Sequence, residues 1–341
     1  CCTAQCSGER ATGSGRSPVR RIGVQVQRLT APLRLHYVVG MPTSPLVLTG
    51  RSLSIADVVA AARNPATRIA LDPNALTGLG ESRARVDRAI ARGETVYGIN
   101  TGFGKLANVR IAADQLDQLQ VNLIRSHAAG VGDLLPADVV RAAILLRANV
   151  LLRPTSGVRP ELVQALIELF NAGIVPAVPE QGSVGASGDL APLSHIAMVL
   201  IGEGEVLAGD SRASPAKPAL SASGLTPFRF APKEGISFIN GTQAQTALLA
   251  LLVHDAEVLW RTAVGAAALS LEALRGTPTP LDARIHEARP HPGQLRTAEL
   301  MRALLEASEI RESHRDNDER VQDAYSLRCT PQVLGAVADA I

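Results

Sequence analysis

The sequence predicts a mainly α fold, in which an N-terminal α+β region is followed by a bundle of long helices. Of its 341 residues, 46% are hydrophobic but only 3% are aromatic, so the apolar content is mostly Ala, Leu and Val. This composition favours closely packed helices over an aromatic-rich sheet sandwich. Residues 242–274 add a second observation, because Ala and Leu surround most of their helical circumference, as in the middle helix of a bundle. We therefore predict an N-terminal domain at residues 41–235 and the beginning of the bundle at residues 236–341.

Residues 1–40 look foreign to this pattern. They open on Cys-Cys, are rich in Arg, Ser and Gly, and show no sustained hydrophobic period. A globular pattern begins only after Met41. Our hypothesis is that Met41 is the natural start and that residues 1–40 are a non-native or disordered extension.

The elements of the N-terminal domain follow from caps and periodicity. A capping box at Ser54, with Asp57 in place of the usual Glu, predicts a helix that stops by Pro65. Gly and Pro punctuate the helical segments that come next. They are predicted at residues 82–92, 113–127, 137–152, 160–172 and 190–202. Short strands are predicted at residues 67–71, 205–207 and 228–230, with an extended segment at 174–181.

The bundle region is predicted to contain the long helix 242–274, a helix at 293–308 and a last helix from about Pro331. The mixed charges of residues 311–320 indicate a solvated loop between them. We find no internal repeat.

Composition also limits the partners. With 34 Lys+Arg against 32 Asp+Glu, the net charge of +2 indicates neither nucleic acid nor an anionic membrane. The longest apolar run, Ala244–Val253, is closed by His254 and Asp255, so no membrane span is predicted, and no secretory leader is evident. The chain has four cysteines: Cys1, Cys2, Cys6 and Cys329. Their spacing predicts no disulfide framework and no metal site, and it fits a reducing, cytoplasmic location.

The most informative stretch, residues 182–195, reads GSVGASGDLAPLSH. Its centre, Ala186-Ser187-Gly188, is small enough to fold sharply, and the Gly188 amide nitrogen can then approach the Ala186 carbonyl carbon. Ring closure with loss of one water, and loss of a second from Ser187, would leave an electrophile that no ordinary side chain supplies. The alternative is a Gly/Ser-rich loop that feeds a helix, with Asp189 as its cap.

This stretch resembles the signature of the aromatic amino acid ammonia-lyases, whose prosthetic group is 4-methylideneimidazol-5-one formed from Ala-Ser-Gly. The resemblance spans Met41 to Ile341 and includes YGINTGFG from Tyr97, Ser126-His127, NGTQ from Asn240 and QDAYSLR from Gln322. It implies the family fold and a group formed from Ala186, Ser187 and Gly188, with no metal or dissociable cofactor.

The resemblance also implies residue roles. Tyr97 corresponds to the catalytic tyrosine that removes a proton, and Asn240 to the residue that contacts the electrophile. Tyr325 belongs to the catalytic set and Gln322 to the substrate-binding set, while Arg328 offers a planar fork to the substrate carboxylate. Asp189 is expected to assist ring formation.

Each of three roles has a structural alternative. Tyr97 could be a buried tyrosine that donates to a carbonyl, His127 a helix C-terminal residue that interacts with the dipole, and Asn240 a helix N-cap. His195 is interpreted as structural, on the helix behind the turn.

The polar pair Ser126-His127 suits an imidazole, which needs hydrogen-bond partners at both nitrogens, and members that act on phenylalanine carry an aromatic-aliphatic pair there. The resemblance therefore implies non-oxidative deamination of L-histidine to trans-urocanate and ammonia, the first step of histidine degradation. Phenylalanine or tyrosine ammonia-lyase, a 2,3-aminomutase and a catalytically silent helical scaffold stay open as alternatives.

Members of that family are homotetramers whose sites are built from several subunits, and they continue well beyond the position of Ile341. We therefore expect a homotetramer for the full-length protein, and an inactive or unstable chain when residues 1–341 stand alone.

Overall fold

A computed structural model describes residues 44–104, 108–208, 213–316 and 318–341. The hypothesis on residues 1–40 and Met41 lies outside the described residues. Within them the fold is mainly helical, as predicted, and the strands form short pairs.

The elements before the long helix are these: β1 (Leu46–Leu48), α1 (Ile55–Arg63), β2 (Ile69–Leu71), α2 (Pro73–Ala91), α3 (Leu116–His127), β3 (Val131–Leu134), α4 (Ala137–Leu151), α5 (Pro160–Asn171), β4 (Pro179–Gln181), α6 (Leu190–Leu200), β5 (Glu205–Leu207), β6 (Ala213–Pro215), α7 (Ala216–Ala222) and α8 (Glu234–Ile239). The long helix and its successors are α9 (Gln243–Ala273), α10 (Ala283–Glu287), α11 (Pro292–Leu304), α12 (Glu309–Glu312), α13 (Tyr325–Arg328) and α14 (Thr330–Ala340). Short 3₁₀ turns lie at Ala113–Gln115 and Thr279–Leu281.

The predicted caps explain where the helices begin. In α1 the Ser54 hydroxyl accepts from the Asp57 amide and the Asp57 carboxylate accepts from the Ser54 amide, both at 3.1 Å, which confirms the capping box. Helix α2 starts at Pro73 instead of residue 82, so the predicted start was wrong. Asp72 accepts from the Asn74 amide at 2.9 Å and Pro73 occupies the first turn, a start signal that the weak apolar period of this segment hid.

The strands form three two-stranded sheets, with β1 parallel to β2, β3 antiparallel to β4, and β5 antiparallel to β6. The strand predicted at residues 228–230 is wrong. Phe228 and Phe230 pack edge to face with ring centroids 5.2 Å apart, and Phe230 meets Phe238 of α8 at 5.7 Å. The apolar pattern of this segment therefore reflects ring packing in the core, without a strand ladder.

Two hydrophobic clusters share α9. The first surrounds the buried helix α4 and includes α8 and the first turns of α9, through Ala247 and Leu251. The second is built on Trp260 and Val264 of α9 against α11, with Met301 and Leu305. The first cluster therefore continues past the predicted division between residues 235 and 236, because α8 and the start of α9 complete its packing.

Helix α9 leaves much of one side open to solvent. Its exposed apolar residues include Leu248, Leu249, Leu252, Leu259 and Leu269. By length and composition alone, Glu234–Ala273, which contains an 18-residue window of mean hydropathy 1.3, could cross a membrane, whereas the sequence analysis predicted no membrane span. The central helix of a bundle meets the same criterion, so this finding is weak evidence for a membrane.

Candidate active site

The predicted turn lies between β4 and α6, and its backbone is strained. Ser187 has φ 60° and Gly188 has φ 102°, two consecutive residues in the left-handed region that L side chains rarely adopt. A Cβ on Gly188 would overlap the backbone of Gly241, so only glycine fits there. Ser187 and Ala186 are exposed, whereas Gly188 is buried. Ser187 therefore faces solvent, whereas Gly188 packs against the backbone of Gly241.

Asp189, the residue after the turn, holds it in place through hydrogen bonds. It is fully buried, and its amide donates to the Gly241 carbonyl at 2.6 Å. Its carboxylate accepts from the Ser183 hydroxyl at 2.7 Å and from the Gln245 side chain and amide at 2.6 and 2.9 Å. Asp189 occupies the N-cap position of α6, as the alternative interpretation expects, but its side chain makes no capping hydrogen bond there. The carboxylate instead joins the turn to the first turn of α9, through a glutamine that the sequence analysis missed.

Asn240 lies beside the turn. It ends α8, its side chain is exposed, and the next residue is the Gly241 that contacts Gly188. The alternative of an N-cap is wrong, because Thr242 occupies that position of α9. We name Ala186–Asp189 together with Asn240 and Gly241 the electrophile end, after the group that the sequence analysis expects the turn to form.

Tyr97 is 57% exposed and meets Phe103 edge to face, with ring centroids 6.1 Å apart. The alternative of a buried tyrosine is therefore wrong. The adjacent Gly98 faces Ile236 of α8, the helix that ends at Asn240. The loop of Tyr97 and the electrophile end thus share α8 as their support.

His127 is the last residue of α3, as its dipole alternative requires. Its Nδ1 lies 2.9 Å from the Leu123 carbonyl and 3.1 Å from the Ser126 hydroxyl. Because a carbonyl can only accept, the Leu123 contact assigns the proton to Nδ1 and leaves Nε2 as an acceptor. In the described residues that Nε2 has no hydrogen-bond partner, so the ring is available to a ligand.

The loop after His127 is held against the segment that enters the turn. The Gly130 amide donates to His195 Nε2 at 3.1 Å, and Gly130 packs against Gly182. His195 thus has the structural place that was expected. Burial lowers the pKa of His195, which favours the neutral ring that this hydrogen bond requires.

Gln322, Tyr325 and Arg328 lie elsewhere, beyond the far end of α9. Asp323 accepts from the Thr277 amide at 2.6 Å and so fixes this segment next to the C-terminus of α9. Arg328 donates to the Asp323 carbonyl at 3.0 Å and stacks over the Tyr325 ring at 5.5 Å. Gln322 and Arg328 line a cavity of about 440 Å³. We name Gln322–Arg328 the carboxylate-binding end, after the role that the sequence analysis expects of Arg328.

The length of α9 separates the two ends. At 1.5 Å per residue, its 31 residues span about 45 Å. Gln245 near its start touches Asp189, whereas Leu274 just after it accepts from the Arg320 side chain. A single chain therefore brings Tyr97, His127 and Asn240 to the core that supports the turn, but it does not bring Gln322, Tyr325 or Arg328 there.

The electrophile end has the features that a ring formed from Ala186, Ser187 and Gly188 requires. Two left-handed residues narrow the turn, Gly188 has no space for a side chain, and the Asp189 amide is anchored. The residues therefore fit a 4-methylideneimidazol-5-one. Among the described residues no cluster of His, Cys, Asp or Glu could hold a metal ion.

Comparison with known proteins agrees with this geometry. Residues 53–341 match the family described as aromatic amino acid lyase, so the chain belongs to that family, which is known for the 4-methylideneimidazol-5-one group.

The individual relatives are more specific. Histidine ammonia-lyase of Paracidovorax citrulli is 50% identical over 299 residues, which cover 88% of this chain and 57% of that protein. Histidine ammonia-lyase of Geobacillus thermodenitrificans is 49% identical, with coverage of 87% and 58%. This chain thus spans slightly more than half the length of these relatives.

Solved structures share the fold. The crystal structure of histidine ammonia-lyase from Trypanosoma cruzi superimposes with a TM-score of 0.76 at 40% identity, covering 86% of this chain and 53% of that one. Tyrosine aminomutase from Streptomyces globisporus gives 0.78 at 36%, with coverage of 87% and 59%. These matches confirm the predicted fold class.

Proposed function

We propose that the gene product bearing this chain is a histidine ammonia-lyase that converts L-histidine to trans-urocanate and ammonia. The observation that carries the proposal is the Ala186–Gly188 turn, held against Gly241 in a chain whose matched residues are 49–50% identical to those of two histidine ammonia-lyases. We propose that this turn cyclises to a 4-methylideneimidazol-5-one.

The group, once formed, supplies an electron acceptor that the ordinary side chains lack. The chain's own residues then bind, orient and move protons. The Asn240 amide, exposed beside the turn, can donate a hydrogen bond where negative charge builds up. Tyr97, exposed on its loop, takes a proton from the β-carbon as the amino group leaves as ammonia. The electrons of that C–H bond form the double bond of the product.

Substrate choice rests on His127. With its proton on Nδ1 and directed at the Leu123 carbonyl, its Nε2 can accept from an imidazole N–H of the substrate. A phenyl ring has no such donor and would leave this nitrogen without a partner, which disfavours phenylalanine. Ser126, at 3.1 Å from the same ring, supports its orientation.

Recognition of the substrate carboxylate is assigned to Arg328, with Gln322 and Tyr325 completing the polar surroundings. Because α9 separates these residues from the turn, the proposal requires Arg328 to come from a second copy. The exposed leucine side of α9 supports such an assembly, since a large apolar surface marks an interaction site. We propose a homotetramer, for which sedimentation of the full gene product is the test.

Tyrosine aminomutases superimpose as well as the histidine enzyme does, so action on tyrosine or phenylalanine is the second candidate. Absorbance assays with histidine, phenylalanine and tyrosine side by side separate the two. Cytoplasmic location is likewise proposed, on the cysteine pattern, and cell fractionation tests it.

One experiment addresses the chemistry directly. The peptide that contains Ala186–Gly188 is isolated from the full gene product, and its mass is measured by mass spectrometry. We expect a mass lower than the sequence mass by two waters, together with urocanate production from histidine. An unmodified peptide in correctly folded protein would contradict the proposal.

A further inference from the structure

Arg147 is a buried cation that the proposed chemistry does not use. It lies on α4, is 2% exposed, and among the described residues no carboxylate lies within ion-pair distance of it. Its Nε has no hydrogen-bond partner there, and burial lowers the pKa of the guanidinium to about 10. Charges are rarely buried in this way without a carboxylate, so its surroundings indicate what it is for.

Among the described residues, the hydrogen bonds of Arg147 all end on one short segment. Nη2 donates to the carbonyl groups of Ser237 and, at 3.5 Å, Asn240, both at the C-terminal end of α8. Nη1 donates to the Gln243 side chain at 2.7 Å, in the first turn of α9. The guanidinium therefore holds the junction between the two helices from behind.

That junction is the surface on which the turn rests. Gly241 has Arg147 on one side, where a Cβ would overlap Nη1, and Gly188 on the other. The Gly241 carbonyl accepts from the Asp189 amide at 2.6 Å. A continuous series of contacts thus runs from Arg147 through Asn240 and Gly241 to the turn.

We propose that Arg147 is a positioning residue for the electrophile end, which it serves by holding Asn240 and Gly241 against Gly188 while the ring forms. This inference rests on the proposed function. Without the guanidinium, the carbonyls of Ser237 and Asn240 and the Gln243 side chain lose their donor, and the junction can relax away from the turn. Gly188 then has room to leave the narrow conformation, so cyclisation slows.

The chain offers a matched control on the same helix. Arg141 is also buried, at 6%, and also donates to backbone carbonyls at a helix end, those of Ala61 and Ala62 at 3.0 Å. It touches α1 and not the electrophile end. Arg141→Met therefore removes an equivalent buried cation and its hydrogen bonds without disturbing Gly241.

The test compares wild type, Arg147→Met, Arg147→Lys and Arg141→Met in the full gene product, using assemblies isolated as folded. The readouts are the fraction of the Ala186–Gly188 peptide that has lost two waters, thermal unfolding, and kcat and KM for histidine. We expect the Ala186–Gly188 peptide of wild type and of Arg141→Met to lose two waters at the same rate. Arg147→Met should be converted at least about tenfold more slowly, and Arg147→Lys should recover part of the rate because it keeps a cationic donor.

Complete conversion of Arg147→Met, with the kcat of Arg141→Met, would overturn the role of Arg147 and leave the proposed function intact. If Arg147→Met does not fold, the variants Gln243→Leu and Arg147→Lys take its place in the test. Wild-type conversion of the peptide and wild-type kcat in both of these variants would also overturn the role of Arg147. An unmodified wild-type peptide would refute the proposed function itself, and this inference with it.

Discussion

The two ends of α9 are built in opposite ways. At the electrophile end, buried Asp189 takes hydrogen bonds from Ser183 and Gln245, and its amide is anchored on Gly241. At the carboxylate-binding end, Tyr325 is 71% exposed and belongs to a helix of four residues. A strained backbone persists only where the surrounding structure fixes it. A side chain that recognises a carboxylate needs only to be long enough to contact that carboxylate.

The aspartates near the two ends differ according to their burial. Arg320 donates to Asp318 at 3.1 Å and lowers the pKa of that exposed carboxyl to about 2, chiefly through this side-chain hydrogen bond. Exposed pairs of this kind contribute little to stability. Asp189 is buried and uses its carboxylate to join the turn to the first turn of α9. A buried aspartate thus organises the backbone near each end of α9, Asp189 at the turn and Asp323 at the Thr277 amide, whereas the exposed Asp318 pairs with Arg320 in a loop.

The largest expected effect concerns the turn itself. Ser187→Ala in the full gene product removes the hydroxyl whose loss creates the electrophile, so urocanate formation should fall on the order of 10⁴-fold. The variant peptide should retain its sequence mass. The exposed Ser221→Ala serves as control and should match wild type. Substantial activity in Ser187→Ala would contradict the scheme.

The separation of the ends predicts complementation. Ser187→Ala and Arg328→Met should each be impaired alone, yet co-expression should restore about a quarter of wild-type activity, the share of random pairings that unites two intact ends. Activity is measured on assemblies purified through two different tags. Mixed assemblies without recovery would mean that the two ends do not meet between copies.

At the carboxylate-binding end alone, Arg328→Met should raise KM for histidine by roughly 10- to 100-fold, because a charge-assisted bond contributes about 1.5–3 kcal/mol. Conversion of the turn should stay complete, since the contacts that hold the turn run from Gly188 and Asp189 to Gly241 and do not include Arg328. Steady-state kinetics and peptide mass measure both. A loss of conversion in Arg328→Met would show that the two ends are less independent than their separation indicates.

The buried carboxylate predicts a stability difference. Asp189→Asn replaces an acceptor of three hydrogen bonds by a group that also donates, which should lower the free energy of unfolding by about 1–3 kcal/mol. Asp57→Asn, in the exposed capping box of α1, should cost less than about 1 kcal/mol. Urea unfolding of the full gene product compares them. Equal losses would imply that burial of Asp189 does not matter.

The smallest effect is a pH dependence. Burial lowers the pKa of His195 in the folded protein, so below about pH 6.5 the unfolded chain binds a proton that the folded chain resists. Stability should therefore decrease as the pH falls through this range, by at most about 1.4 kcal/mol per pH unit from this group. His195→Gln keeps an acceptor for Gly130 and should flatten the slope, while the exposed His291→Gln should not. Unfolding titrations at about pH 7.5 and about pH 5.5 measure it. The same slope in both variants would exclude His195 as its source.

Much of the fold could be predicted from local patterns. The helices at 137–152, 160–172 and 242–274 appear within one residue or two of their predicted bounds, because caps, glycines and apolar period act over a few residues. The strand expected at 228–230 failed, because aromatic residues that pack into a core give the same signal as a strand. Strand β3 escaped prediction, and β4 was expected only as part of the extended segment 174–181, since their pairing depends on residues far apart in the chain.

The sequence by itself determined which chemistry to expect of the turn, through three small residues in a row and motifs that resemble those of the aromatic amino acid lyases. Such information is local, since it depends on what a few neighbouring residues can do. Only the tertiary structure decided that Gln245 and Arg147 support the turn, and that Arg328 lies one helix length away from it. Those contacts join residues far apart in the chain, and folding alone determines which of them meet.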